Sequence, residues 1–154
     1  MTEIVEGSLE GSGLHIGIVA AQWNQAITDR LLEGALIRAE ELGVSKVTAM
    51  RVPGALELPV AAQRLAQIGC DAVVAIGTVV KGETDHYDIV VNESARGINL
   101  VALETGVPIT NAILAVHDYS HAVDRAGIGD SNKGHEAVEA AVITANALRR
   151  VGGT

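Results

Sequence analysis

The 154-residue chain contains no phenylalanine, one cysteine and three prolines, and one tryptophan with two tyrosines completes its aromatic inventory. A core without Phe is built from Ala, Val, Ile and Leu, so helices must approach a sheet closely through small side chains. The lone Cys70 excludes an internal disulfide and a thiolate metal cluster. Lys and Arg number 11 against 19 Asp and Glu, a formal charge of −8. Nucleic-acid binding needs clustered cations to neutralise phosphates, and that composition argues against it. No apolar run approaches the roughly 20 residues that cross a bilayer. The opening Met1-Thr2-Glu3-Ile4-Val5-Glu6 lacks the basic and apolar stretches of a signal peptide. These absences describe a cytoplasmic protein with neither nucleic acid nor membrane as a partner.

What is present is an alternation. Apolar runs at Ile16–Ala20, Val47–Val52, Ala72–Gly77 and Ile113–Val116, the last with the residues just before it, read as strands. The first and third are continuously apolar, as strands covered on both faces are. Helical spacing separates them. Thr28 is the expected N-cap of a helix carrying Leu31, Leu32, Ala35, Leu36, Ala39 and Leu42, with Gly43 as its stop. Pro59 opens a second helix that ends before Gly69. Tyr87 to Leu103 forms a third, Ser120 to Ala126 a short one, and Lys133 to Val151 a last one with an alanine-rich stripe. This order predicts a three-layer α/β/α sandwich around a four-stranded parallel sheet. Residues 14–154 form the single α/β domain. Residues 1–13 form an arm that either adds a strand to a neighbouring subunit or frays.

Ligands of open parallel sheets bind beyond the carboxyl ends of the strands. Three loops fall there: Gln22-Trp23-Asn24, Pro53-Gly54-Ala55-Leu56-Glu57, and Thr78-Val79-Val80-Lys81-Gly82-Glu83-Thr84-Asp85-His86-Tyr87. Trp23 is either a core anchor or a flat wall for a planar ligand. Glu57 either favours a helix start or recognises an amide-like group. Lys81, Gly82 and Thr84 with the following helix N-terminus suit a phosphate. His86 is the one histidine of this group and can exchange protons near neutrality. His117 and His121, four apart, lack a third ligand and read as a surface loop, so no metal site is expected. Arg125 and Lys133 are either surface charges or arms that reach an anion.

Four segments carry a resemblance: Gly17-Ile18-Val19 with Trp23-Asn24; Val52-Pro53-Gly54-Ala55-Leu56-Glu57-Leu58-Pro59; Gly77-Thr78-Val79-Val80-Lys81-Gly82-Glu83-Thr84-Asp85-His86-Tyr87-Asp88; and Asp124-Arg125-Ala126-Gly127 with Asn132-Lys133-Gly134. In this order and spacing the chain, from about Ile4 to Arg150, resembles the lumazine synthases of riboflavin biosynthesis, which are flavodoxin-like transferases. The resemblance implies condensation of 5-amino-6-(D-ribitylamino)uracil with 3,4-dihydroxy-2-butanone 4-phosphate to 6,7-dimethyl-8-ribityllumazine, without cofactor. It places Trp23 against the pyrimidine, with Asn24 beside it. Ala55, Leu56, Glu57, Thr78, Val79 and Val80 line the pyrimidine and ribityl site. Glu83 and Thr84 sit at the phosphate turn, Arg125 clamps the phosphate, His86 transfers protons, and Lys133 is the nearby base.

Departures are visible. Asn111 stands where many members carry a ring-covering Phe, Lys81 where Arg is common, and Glu83 where a small residue is usual. Ala115-Val116-His117-Asp118 replaces a pair of threonines followed by acidic or amide residues. The family forms pentamers or sixty-subunit icosahedral shells with sites between neighbours, and the short Ile128–Ser131 loop resembles that of shell formers. Riboflavin synthase is a further implied partner. Two rivals remain: a Schiff-base lyase using Lys81 or Lys133, and a non-catalytic shell-forming or flavin-binding homologue.

Overall fold

The computed structural model describes residues 1–151; the last three residues of the expected 14–154 domain lie outside them. Strands β1 (His15–Ala21), β2 (Lys46–Val52), β3 (Ala72–Val80) and β4 (Ile109–Val116) alternate with helices α1 (Gln25–Glu41), α2 (Leu58–Gln67), α3 (His86–Thr105), α4 (Tyr119–Asp124) and α5 (Lys133–Arg150). Every strand pair is parallel, in the order β2-β1-β3-β4. That order and the helices on both faces are those of a flavodoxin-like doubly wound sheet.

The two central strands explain their own sequence. Ile16 to Ala21 and Ala72 to Thr78 are buried throughout, because alternate side chains enter different cores. Ile16, Ile18, Ala20, Ala72, Val74 and Ile76 face α1 and α5, packing on Leu31, Ala35, Ala137, Val138, Ala141 and Val142. Val19, Ala21, Val73 and Ala75 face the other way, with Leu58, Ala62, Leu65 and Ile98 of α2 and α3. The absence of Phe is met as the composition requires. Ala137, Ala141 and Ala145 recur every fourth residue on α5 and let it lie close to the sheet.

Three local expectations shift. Thr28 is not an N-cap: α1 begins one turn earlier, after Asn24, whose backbone is left-handed at φ 61°. Asn tolerates that conformation better than most residues, and Thr28 is buried inside the first turns. Thr78, Val79 and Val80 are the last residues of β3 rather than loop, since they stay paired with Leu114, Ala115 and Val116. The helix read from Tyr87 to Leu103 runs from His86 to Thr105 and stops at Gly106, φ 71°. Within a single chain the N-terminal arm carries no strand. Instead Asn146 Nδ2 donates to the carbonyls of Ser8 (3.0 Å) and Glu10 (2.8 Å), and Arg150 Nη1 donates to that of Glu6 (2.6 Å), which tie residues 6–10 along α5.

Candidate active site

Three chain crossings are bound to one another at the carboxyl edge of the sheet. Gln22 N–H donates to the carbonyl of Val52, and Trp23 N–H to that of Pro53 at 3.0 Å, which joins the turn after β1 to the turn after β2. Asn24 Nδ2 donates to the carbonyl of Thr78 at 2.8 Å, which joins the same turn to the end of β3. The left-handed backbone of Asn24 therefore serves two ends: it starts α1 and aims its amide across the edge of the sheet.

These ties surround a cavity of about 270 Å³, lined by Ala21, Trp23, Asn24, Gly54 and Ala55, by Leu56, Glu57, Thr78, Val79 and Val80, and by His86 and Val90. Nine of the expected site residues meet here: Trp23, Asn24, Ala55, Leu56, Glu57, Thr78, Val79, Val80 and His86. The lining is largely apolar with a few polar groups, the usual character of a small-molecule site.

Trp23 is 64% exposed, so it is a wall and not a core anchor. Its ring lies over Gly54, where a Cβ would stand 2.5 Å from Cε3 and Cζ3. Gly54 has an ordinary extended backbone, so glycine is needed there for the close approach alone. Glu57 closes a 3-10 turn (Ala55–Glu57) ahead of α2, and its side chain caps no helix N–H group. Two polar atoms of the cavity-lining residues are buried without a hydrogen-bond partner among the described residues: Oε2 of Glu57 and Oγ1 of Thr78. A buried polar atom left unpaired costs roughly 1–3 kcal/mol. Both belong to residues that line the cavity, so a polar ring seated there could satisfy them.

His86 is exposed at the first position of α3, and its own N–H meets Thr84 Oγ1 at 3.4 Å. Asp85 makes no side-chain cap. With the His86 N–H on Thr84 and the Asp88 N–H on the carbonyl of Asp85 at 3.1 Å, the Tyr87 N–H and the dipole of this 20-residue helix are what the first turn offers an anion beside the cavity. Lys81, Glu83 and Thr84 are exposed on the approach and do not line the cavity. Tyr87, next to His86, packs its ring edge to face on His117 with centroids 5.5 Å apart.

Arg125 and Lys133 are not brought to this cavity. They line a separate, more open hollow of about 740 Å³, with Ile113 to Val116, Asp124, Asp130, Ser131 and Glu136. Arg125 Nη1 donates to the carbonyl of His121 at 3.0 Å, and Lys133 Nζ pairs with Glu136 Oε1 at 3.0 Å. That pairing engages Lys133, one of the two lysines the lyase rival would use. Asn111 lines neither hollow; it is exposed, and its Oδ1 accepts the N–H of Ile113 at 2.7 Å.

The sequence reading passed over two residues. Asn132, 2% exposed, donates to the carbonyls of Arg30 and Gly127 at 2.9 Å each and accepts from His135 N–H, fastening the 127–135 turn to α1. Its position after Gly127 and before a helix is an N-cap signal that could have marked it. His135, buried against α1, carries one local signal, Glu139 four residues on in α5, whereas Glu41 lies near it only in the fold.

Comparison with known proteins gives the family of the chain. The family model described as 6,7-dimethyl-8-ribityllumazine synthase matches residues 13–149. Proteins bearing that name are similar over nearly the whole chain. The one from Kineococcus radiotolerans is 49% identical over 95% of this chain and 92% of its own. That from Streptomyces avermitilis is 46% identical over 90% and 87%. That from Thermococcus kodakarensis is 42% identical over 96% and 95%. The chain belongs to the 6,7-dimethyl-8-ribityllumazine synthase family.

Proposed function

We propose that this protein condenses 5-amino-6-(D-ribitylamino)uracil with 3,4-dihydroxy-2-butanone 4-phosphate, releasing phosphate and water, as a transferase of riboflavin biosynthesis. The observation that carries the reading is the cavity itself. A flat indole, the unpaired Glu57 and Thr78 oxygens and an exposed imidazole surround one small space beside a helix N-terminus. Trp23 covers one face of the pyrimidine, while Glu57 and Thr78 take its polar edge. The α3 N-terminus, with the backbone N–H of Glu83 and the hydroxyl of Thr84 in the turn before it, receives the phosphate, which is stable where N–H groups and the helix dipole converge.

The chemistry needs little else. The amine of one substrate attacks the carbonyl of the other, and the resulting carbinolamine loses water to give an imine. Departure of phosphate and ring closure by the second nitrogen follow, with a further water released. Each step moves protons, and His86 stands at the cavity mouth to carry them. Holding both substrates in one orientation supplies the rest of the acceleration.

The site is completed by a second copy of the chain. Arg125 and Lys133 stand too far from the cavity to line it, so they serve a neighbour, as would Asn111. Exposed apolar side chains at Val60, Leu103 and Ile128 leave surface for such contacts. We assign a homopentamer, assembled into a sixty-subunit shell, as the working form in the cytoplasm, with the N-terminal arm reaching the adjacent subunit and riboflavin synthase as an associated enzyme. No helix among the described residues is long and apolar enough to cross a membrane.

Mixing the two substrates with the protein and following lumazine absorbance tests the activity. Product formation above the uncatalysed rate is expected; flavin binding without it would favour the non-catalytic homologue. Light scattering of the same sample separates pentamer from shell.

A further inference from the structure

A second cluster of chemistry lies away from the cavity, where α5 crosses α1. His135 is 7% exposed, and its Nδ1 has no hydrogen-bond partner. Glu139 Oε1 stands 3.1 Å from that nitrogen, yet off the line a hydrogen bond requires. Asp130, on the 3-10 turn Gly129–Ser131, brings a carboxylate oxygen to the same place: the ligand atoms of Asp130, His135 and Glu139 all lie within 4.8 Å of one another.

A short separation without a hydrogen bond is what two ligands of one ion show. Bonds of about 2.0–2.1 Å from a metal to nitrogen and oxygen set neighbouring ligand atoms about 2.9–3.4 Å apart. Asp130 is exposed, so a change of rotamer can draw its oxygen in. The surroundings favour a dication. Arg38 takes the far oxygen of Glu139, Oε2, at 3.6 Å, and Oε1 of Glu41 at 3.5 Å, leaving Glu139 Oε1 to His135. The other ring nitrogen of His135, Nε2, faces Glu41 Oε1 at 3.8 Å. Metal-bound imidazoles usually have their second nitrogen directed at such a carboxylate. Three carboxylates and one guanidinium leave two negative charges around the ring.

We propose that Asp130, His135 and Glu139 bind one divalent transition-metal ion, which staples the 129–131 turn to α5. One imidazole and two carboxylates suit Zn2+, Co2+, Ni2+ or Mn2+; the nitrogen ligand disfavours Ca2+ and Mg2+, and the absence of thiolate disfavours Cu+. His135 and Glu139 are one helical turn apart, so both project from the same face of α5. Asp130 is exposed and borders an open hollow, so water can complete the coordination shell from its side. None of the three ligands lines the Trp23–His86 cavity; Asp130 borders the hollow of Arg125 and Lys133, so the ion's role is to hold the 129–131 turn in place beside those cations.

The test is calorimetric titration of chelator-treated protein with ZnCl2 in a non-coordinating buffer, with thermal unfolding run alongside. Wild type should bind one equivalent per chain and unfold at a higher temperature with the metal. Asp130→Asn and Glu139→Gln should each weaken the site about tenfold or more. His135→Ala should abolish it, whereas His121→Ala should leave it intact. Asp130 is exposed, so its variant folds whether or not the buried His135→Ala does. No Zn2+ uptake by wild type, or affinity unchanged in Asp130→Asn and Glu139→Gln, overturns the proposal.

Discussion

The indole of Trp23 rests on Gly54, close enough that the smallest side chain at Gly54 would reach within 2.5 Å of its ring atoms. Gly54→Ala should therefore tilt the exposed ring off the cavity with little loss of fold, since nothing confines the indole on its solvent side. A stacked pair is worth about 0.5–1.5 kcal/mol, so KM for the pyrimidine substrate should rise about three- to tenfold. Steady-state kinetics at saturating butanone phosphate reads this directly, and Trp23→Ala should raise KM at least as far.

His86 is exposed and makes no side-chain hydrogen bond among the described residues. His86→Ala and His86→Gln should therefore unfold at the wild-type temperature. Both should lower kcat about a hundredfold or more, the ordinary range for a lost acid–base group. A kcat within twofold of wild type would remove His86 from the chemistry.

Asn24 separates two contributions that one substitution would merge. Asn24→Gly keeps the left-handed backbone and loses the 2.8 Å bond to Thr78; Asn24→Ala loses both. Urea unfolding should place the glycine variant about 1 kcal/mol below wild type. The alanine variant should fall about 1–2 kcal/mol further.

Asp118 gives a dependence on pH. Its carboxylate accepts the N–H and the hydroxyl of Ser120, both at 2.8 Å, and these bonds hold its pKa below the usual 3.8. A carboxyl whose folded pKa is depressed stabilises the fold above its unfolded pKa, and that contribution is lost as pH falls through the folded value. Asp118→Ala should therefore lower the melting temperature at pH 7, and the gap to wild type should close as the pH drops below 3.8. A gap constant from pH 7 down to pH 2, on the order of the whole acidic range, would assign the effect to something other than this carboxylate.

Much of this molecule is legible in its sequence because its signals are local. Continuous apolar runs at β1 and β3 report burial on both faces, and small-residue spacing on α5 reports close packing. Trp23, Glu57 and His86 stand out because they interrupt bland loops, and topology alone places those loops on one edge. Other features are not local. Asn24 rather than Thr28 starts α1 because of a bond to Thr78, 54 residues away. Asn132 is held by Arg30, 102 residues away. Whether Arg125 and Lys133 serve a catalytic pocket depends on a second chain, which no periodicity within one chain encodes.

The placement of α5 also bears on how the chain is made. One face of the sheet, with Ile16, Ile18, Val74 and Ile76, is covered by Ala137, Val138, Ala141 and Val142. Those covering residues leave the ribosome after all four strands. Until they emerge, the nascent chain carries a finished set of strands with one oily side covered by α1 alone. No strand pair here can close as a hairpin in the meantime, because every pairing is parallel. The final helix thus decides whether a new molecule folds or clumps, and slowing translation across 133–150 should cost more soluble protein than slowing it anywhere earlier.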